Sequence, residues 1–378
     1  MDKSVAIAHE HFPEIGGGEH VAIHLSKVFD APIYTGFVGD GIDPGQFDKP
    51  LVDLFGTGLM GTLLKRDGML ANVIRDAYYQ FAWTNVDELY DYDVIIQSGN
   101  NPGWFVPNVD NQVVVKYTHS PPRNPYDLYS TDGNGWLNSI YTKAARLTYP
   151  QTISYPDVIV ANSEVVDRRI KRYLGVSDDR VRVVYPPTDV GSYSHTDADT
   201  QDYYLTYSRL REAKQIKWIA AAFADRDERL VIGGKGPQAD AIRELADANK
   251  NIEYVGYMSE REKRRRLSEA KALVFAARNE DFGMVPIEAF AAGTPVLGVN
   301  EGFTRYQIED GETGYTFERE THSLHRAIDT FEADGVRYPP GGIEAHAIHF
   351  STREFEKGMQ QAVSDAIEHA KITPKFNQ

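Results

Sequence analysis

The feature that most constrains this chain is an alternation, kept almost throughout, of uninterrupted apolar runs of strand length with helical patterns. A strand that is apolar on both faces must be covered on both, and helical crossovers between such strands make them parallel. The first half supplies SVAIAH (4–9), PIYTG (32–36), DVIIQS (93–98), QVVVKYT (112–118), DVIVAN (157–162) and VRVVY (181–185). The second half supplies YYLTYS (203–208), RLVIGG (229–234), IEYVG (252–256), ALVFA (272–276), PVLGV (295–299) and GYTF (314–317). Between the halves, PPTDVGSYSHTDADTQD (186–202) breaks the pattern with prolines, acids and small polar residues. The expected fold class is α/β, two doubly wound units, and 378 residues exceed what one core usually holds. We expect an N-terminal unit over 1–190, a C-terminal unit over 200–345, and a helix over 350–370 that packs on either of them.

Charge and composition exclude several functions. A formal net charge of −15 argues against a general nucleic-acid binder. The absence of cysteine rules out disulfides, thiolate catalysis and cysteine-based zinc sites. MDKSVAIAHEHFPEIGGG enters a strand at once, with too short an apolar stretch for a signal peptide, and no apolar run reaches membrane-spanning length. A cytoplasmic protein is expected, its membrane contact confined to peripheral attachment at the inner face.

In doubly wound sheets ligands sit beyond the carboxyl ends of the strands. In the second half those ends carry Arg209 and Lys214 (RLREAK), the glycines of GGKGP with Gly234 and Gly236, and then Glu280, Asp281 and Gly283. A short helix is expected from Pro286 to about Ala292, stopped by Gly293 and carrying Glu288, with Val285 at the cap position. Valine has no side-chain oxygen for the first free N–H groups. Cations, glycine backbone and an uncapped helix start together describe an anion site of diphosphate size. Each part also has a plain structural reading: surface ion pairs, a strand-ending turn, and an acid favoured in any first helical turn.

The first half offers a glycine turn, EIGGGEH (14–20), that fails the dinucleotide fingerprint because Val21 stands where the third glycine belongs. No Walker A sequence is present, since GGKGP lacks the Lys-Ser/Thr pair. VVVKYTHSPPRNPYDLY (113–129) sets His119 beyond a strand, followed by Ser120, two prolines and Arg123; a structural histidine and a cleft-facing one both fit. DYD (91–93), DAD (197–199) and DRD (225–227) read as solvated turns, so no metal site is expected. REKRRRL (261–267) reads as the solvated face of a helix, and LMGTLLKRDGMLANVIRDAYYQFAW (59–83), with Lys65, Arg66 and Arg75, as core packing or a membrane-surface face.

DVIVANSE, VRVVYPPTDV, YSRLREAK, GGKGP and above all EDFGMVPIEAFAAGTPVL, with Glu280 and Glu288 eight positions apart, resemble glycosyltransferase family 4. The likeness covers most of the chain and is strongest from 157 to 317. It implies the GT-B fold, two facing Rossmann-like domains with a cleft, and a retaining transfer of sugar from a nucleoside-diphosphate donor without metal or other cofactor. YTHSPPRNPYDLY further resembles the His-Thr-Pro-Met-Arg loop of mannosyltransferases that build lipid-linked or surface glycans, with Pro122 in place of Met. By that resemblance the donor is GDP-mannose, with a UDP-sugar as the alternative, and the acceptor is a glycan or lipid-linked glycan. The implied catalytic residues are His119, Arg209, Lys214 and Glu280. Arg209 and Lys214 neutralise the diphosphate, Gly17, Gly18, Gly234 and Gly236 lie near it, and His119 meets an outer sugar hydroxyl. Glu280 with the N–H groups of Phe282, Gly283 and Met284 holds the sugar, Glu288 the ribose, and Arg123 and Tyr126 lie on the acceptor side. A nucleotide-sugar epimerase on the same fold and a non-catalytic sugar-nucleotide binding module are the rival readings.

Overall fold

The computed structural model describes residues 3–56, 69–108, 111–123, 125–126, 136–193 and 200–372. The chain divides into two compact units, one formed by 1–187 with 355–378 and the other by 188–354. The segment Lys65–Arg66 and the DAD turn at 197–199 lie outside the described residues.

The first unit runs β1 (Val5–His9), α1 (Gly17–Phe29), β2 (Ile33–Thr35), β3 (Leu51–Asp53), α2 (Met69–Trp83), β4 (Val94–Ser98), β5 (Val113–Thr118), α3 (Trp136–Thr148), β6 (Val158–Ala161), α4 (Glu164–Leu174) and β7 (Val181–Val183). Its seven strands are parallel in the order β3-β2-β1-β4-β5-β6-β7. β4 and β5 are buried along their whole length because both faces are covered. On one face Val21 and Leu25 of α1 join Ile7, Ile96 and Val115; on the other, Tyr79 and Trp83 of α2 join Ala6, Ile95 and Val114. Ser163 caps α4 by accepting the Val166 N–H at 3.3 Å, and Gly175 ends it at φ +68°. β3 is the strand that the sequence pattern does not reveal: three residues at the sheet edge, of which only Leu51 is buried.

The second unit runs β8 (Tyr204–Tyr207), α5 (Ile216–Phe223), β9 (Leu230–Gly233), α6 (Ala239–Ala248), β10 (Ile252–Gly256), α7 (Glu260–Glu269), β11 (Ala272–Phe275), α8 (Met284–Ala291), β12 (Val296–Val299), α9 (Thr304–Gln307), β13 (Gly314–Phe317), α10 (Thr321–Asp334) and α11 (Pro340–Ala347). Its six parallel strands follow the order β10-β9-β8-β11-β12-β13. This unit starts at Thr188, whose N–H donates to Phe350 at 3.2 Å, so residues 188–193 belong to it and not to a free linker. α12 (Thr352–Ile372) carries the chain back, and its Phe355, Met359, Val363 and Ala366 are buried in the first unit's core.

In each sheet the strand order reverses once, between β1 and β4 and between β8 and β11. Those reversals open the crevices where ligands bind in this class of fold.

Candidate active site

In the second unit the loops after β8, β9 and β11 meet at the reversal. The first two are stitched by Leu210 N–H donating to Lys235 O at 2.9 Å and Gln238 N–H donating to Leu210 O at 3.1 Å. Gly234 and Gly236 adopt φ of +128° and +153°, and a Cβ on either would collide with backbone of Ser208 or Leu210. The glycines of GGKGP therefore serve first to let these loops touch each other, where the sequence suggested approach to a ligand. Gly234 still borders a cavity of ≈ 290 Å³, shared with Arg209, Lys235, Tyr257, Lys263 and Glu288; Gly236 does not.

Lys214, in a 3-10 turn at Glu212–Lys214, donates to Glu280 Oε2 at 2.5 Å, so the rims of β8 and β11 are joined by an ion pair. Glu280 is fixed through its backbone as well, since Phe303 N–H donates to its carbonyl at 2.8 Å. α8 begins at Met284, two residues before the expected start, with Gly283 at the cap position at φ +82° and no side-chain cap. Pro286 thus occupies the third helical position, which like the first tolerates a missing N–H. The orientation of this first turn comes from Gln307, fully buried, whose Nε2 donates to the carbonyls of Phe282 at 2.9 Å and Gly283 at 3.0 Å. A trans peptide sets its N–H opposite its carbonyl. The N–H groups of Gly283 and Met284 therefore point away from Gln307, while the Phe282 ring is buried against Phe303.

Glu288 accepts from the Tyr207 hydroxyl and from Lys263 Nζ at 3.2 Å. Burial and the Glu288 charge push the Tyr207 phenol well above its ordinary range, so it stays a donor. Lys263 belongs to REKRRRL and corrects the reading of that run as wholly solvated: its side chain is only 14% exposed, whereas Arg265 is 54% exposed.

In the first unit the polar residues gather beyond β1, β4 and β5. Ser98 Oγ lies 3.0 Å from His9 Nδ1 and 2.9 Å from His119 Nε2, donating to one ring and accepting from the other. Burial lowers both histidines, His119 to about 4, so both rings are neutral at pH 7. A Cβ at Gly18 would stand 3.8 Å from His119 Nε2, which puts the start of α1 over that ring; Gly17 is its first residue. A second cavity, of ≈ 410 Å³, is lined by Glu10, Arg75, Asn100, Trp104, Pro122 and Tyr149 among others. Asn100 is gripped there by three groups: its N–H donates to Glu10, its side-chain oxygen accepts from Tyr149, and its carbonyl lies 3.5 Å from Lys116 Nζ. Lys116 is fully buried, which lowers it to about 8. Arg123 and Tyr126 do not line this cavity; the Tyr126 ring stacks on Tyr173 at 4.7 Å.

The structure thus brings together Arg209, Gly234 and Glu288, then Lys214, Glu280 and Gly283, and in the other unit Gly18 and His119. Sequence reasoning missed Lys263, Gln307, Asn100 and Lys116. Only Asn100 had a local signal, the Ser-Gly-Asn-Asn that ends β4, where Gly99 at φ +97° closes on Glu10. Among the described residues no three His, Asp or Glu side chains are placed to hold a metal ion, and no helix is long and apolar enough to cross a membrane.

A parallel doubly wound unit with cations and helix N–H groups at its strand reversal has the features of an anion-binding α/β domain. Residues 193–340, which fall within the second unit, match the family model described as Glycosyl transferases group 1. The chain is 26% identical over 262 residues to the D-inositol 3-phosphate glycosyltransferase of Corynebacterium glutamicum, covering 61% of this chain and 62% of that one. It is 21% identical to the alpha-1,3/1,6-mannosyltransferase ALG2 of Kluyveromyces lactis, covering 93% of this chain and 83% of that one. Against some curated relatives the chain spans only about half of their length, 40% and 54% in two cases. Among solved structures it is similar to Anabaena Alr3699/HepE in complex with UDP and glucose, with a TM-score of 0.70, 16% identity, and coverage of 96% of this chain and 99% of that one. That likeness establishes the GT-B fold.

Proposed function

We propose that the chain is a family 4 retaining hexosyltransferase that moves a hexose, mannose in first place, from a nucleoside-diphosphate sugar to a glycan or lipid-linked glycan. The observation that carries this reading is the Lys214–Glu280 pair at 2.5 Å beside the uncapped start of α8. Lys214 is a cation held at the rim, and Arg209 lines the adjoining cavity. Between them they neutralise the charge that develops on the diphosphate as the glycosidic bond breaks. The N–H groups of Gly283 and Met284 add donors to the same anion. Glu280, its orientation set by Lys214, accepts hydrogen bonds from sugar hydroxyls.

A carboxylate already paired with an ammonium is a poor nucleophile, so Glu280 is not the nucleophile of a double displacement. Same-face attack within an ion pair, the departing phosphate taking the acceptor's proton, fits these residues better. His119 acts as a neutral hydrogen-bonding ring, and because Nε2 is engaged by Ser98, its contact with the sugar runs through Nδ1. The first unit's cavity with Trp104 and Asn100 is the place for the acceptor.

Mannose rests on the His119–Arg123 loop and on the ALG2 mannosyltransferases among the relatives. The relatives named D-inositol 3-phosphate glycosyltransferase support a second acceptor class, a phosphorylated polyol. The test is a thermal-shift screen of the whole protein against GDP, UDP, ADP and their mannose and glucose conjugates, with and without chelator, because a ligand of the folded state must raise the melting temperature. A selective, chelator-insensitive shift supports the metal-free donor site and names the base; no shift with any nucleotide sinks it. Free nucleotide and an altered sugar without transfer would favour an epimerase, and binding without turnover a binding module.

A further inference from the structure

Lys263 is a cation that neither the motifs nor the proposed chemistry calls for. It stands on α7, one turn past the Ser259 cap, and reaches two carboxylates: Glu288 Oε1 at 3.2 Å and Glu260 Oε2 at 2.9 Å. Its ammonium lies 5.5 Å from the centroid of the Tyr193 ring and 6.0 Å from that of Tyr207. Lys263 and Glu288 are both nearly buried, at 14% and 13% exposure, and both line the ≈ 290 Å³ cavity. A carboxylate in such a place is costly unless it is paired and hydrogen-bonded. It would also repel a diphosphate held by Arg209, which lines the same cavity.

We propose that Lys263 is a positioning residue for nucleotide recognition: with the Tyr207 hydroxyl it fixes the Glu288 carboxylate in one orientation and cancels its charge, and this fixed carboxylate selects ribose over deoxyribose. Lys263 holds one oxygen of Glu288 and Tyr207 the other. The two oxygens offer four acceptor positions, and with the Tyr193 hydroxyl also interacting with this carboxylate at least one is left for a ribose hydroxyl. Without Lys263 the carboxylate can turn toward solvent, and its charge stands unopposed beside the anion. The inference rests on the donor-site reading, and its test separates the two.

The full-length protein is titrated calorimetrically with GDP and UDP and with their 2′,3′-dideoxy analogues. The wild type binds the ribonucleotide about tenfold or more tightly than the dideoxy form, as loss of hydrogen bonds to a charged group requires. Lys263→Met weakens binding of the ribonucleotide and brings that ratio to near one; Lys263→Arg keeps most of it. A merely structural lysine lowers the melting temperature and leaves the ratio alone. Tyr207→Phe, which removes the other hold without changing charge, lowers the same ratio, and serves if Lys263→Met fails to fold. A wild type that binds neither nucleotide overturns the donor site and this inference with it. A wild type that discriminates, with the ratio intact in Lys263→Met or, failing that variant, in Tyr207→Phe, overturns this inference alone.

Discussion

Lys214 and Glu280 are joined at 2.5 Å, yet their loss should have different consequences. Glu280→Ala removes the acceptor for sugar hydroxyls and leaves a lysine that is 22% exposed, which water and the diphosphate can still satisfy. Transfer should fall by about a hundredfold or more, as for loss of a charged contact made in the transition state, while the nucleoside diphosphate binds within a few-fold of wild type. Lys214→Ala strips the anion of a cation and should weaken both nucleotide binding and turnover; wild-type donor affinity and rate in that variant would remove the phosphate role. The paired rings of His9 and His119 give a pH dependence whose sign follows from burial. Folding keeps them neutral, so the unfolded chain binds more protons whenever the pH lies below its ordinary histidine value and above the folded one. For His119 that window runs from 6.5 down to about 4. Their contribution to stability is whole above the window and is lost as pH falls through it. Melting temperature measured from pH 7.5 to 4 should drop accordingly, and His119→Gln should shallow the drop; an unchanged slope would mean that the ring is solvated.

The loop after β12 shows how a segment with no chemistry of its own sets the site. Gly302 sits at φ +56°, and a Cβ there would press into the backbone of Asn279 and Glu280. The next residue donates its N–H to the Glu280 carbonyl at 2.8 Å, and Phe303 stacks on Phe282 at 5.5 Å. Gly302→Ala should therefore cost about 1 kcal/mol or more of stability from the left-handed conformation, and move Glu280. Transfer should suffer more than nucleotide binding, in the pattern of Glu280→Ala; equal loss of both, tracking the melting temperature alone, would make Gly302 a folding residue only. The same segment marks the limit of what the sequence reveals. The strands buried on both faces were legible because each carries a run of apolar residues, broken only by buried polar ones such as Gln97 and Lys116. With the strands, the positions of Arg209, Lys214 and Glu280 in the loops beyond β8 and β11, and of Glu288 on the helix that follows, could be read as well. β3 was not, since three residues at an edge carry no periodicity. The start of α8 was misplaced because Pro fits any position of a first turn. Lys263 was hidden in a run of like charges, and only the packing of α7 separates it from solvated neighbours such as Arg265. Gln307 was invisible because its partners are backbone carbonyls some 24 residues earlier.

Continuity of chain and continuity of unit part company at the C-terminal end. Nothing in its pattern assigns α12 to one unit or the other, because an amphipathic helix fits any apolar face of matching width. Its apolar stripe, Phe355, Met359, Ala362, Val363 and Ala366, is at most 1% exposed and packs with Val115, Tyr117 and Val184 of the first unit. Arg182 of β7 adds an ion pair to Asp365 at 3.1 Å. The second unit, by contrast, is contiguous from 188 to 354, and the residues proposed for nucleotide binding at its strand reversal all belong to it. Met359→Ala should then cost about 2–5 kcal/mol, the usual range for emptying a fully buried Met site, and the whole cost should fall on the first unit. In scanning calorimetry the transition that responds to GDP or UDP reports the second unit, because ligand stabilises only the unit that binds it. Met359→Ala should lower the nucleotide-insensitive transition and leave the other in place. Deleting residues 352–378 should abolish the first and preserve the second with its nucleotide response. A single transition that moves as one in both variants would mean that the units fold as one cooperative body, and that α12 stabilises the nucleotide site from within the other unit.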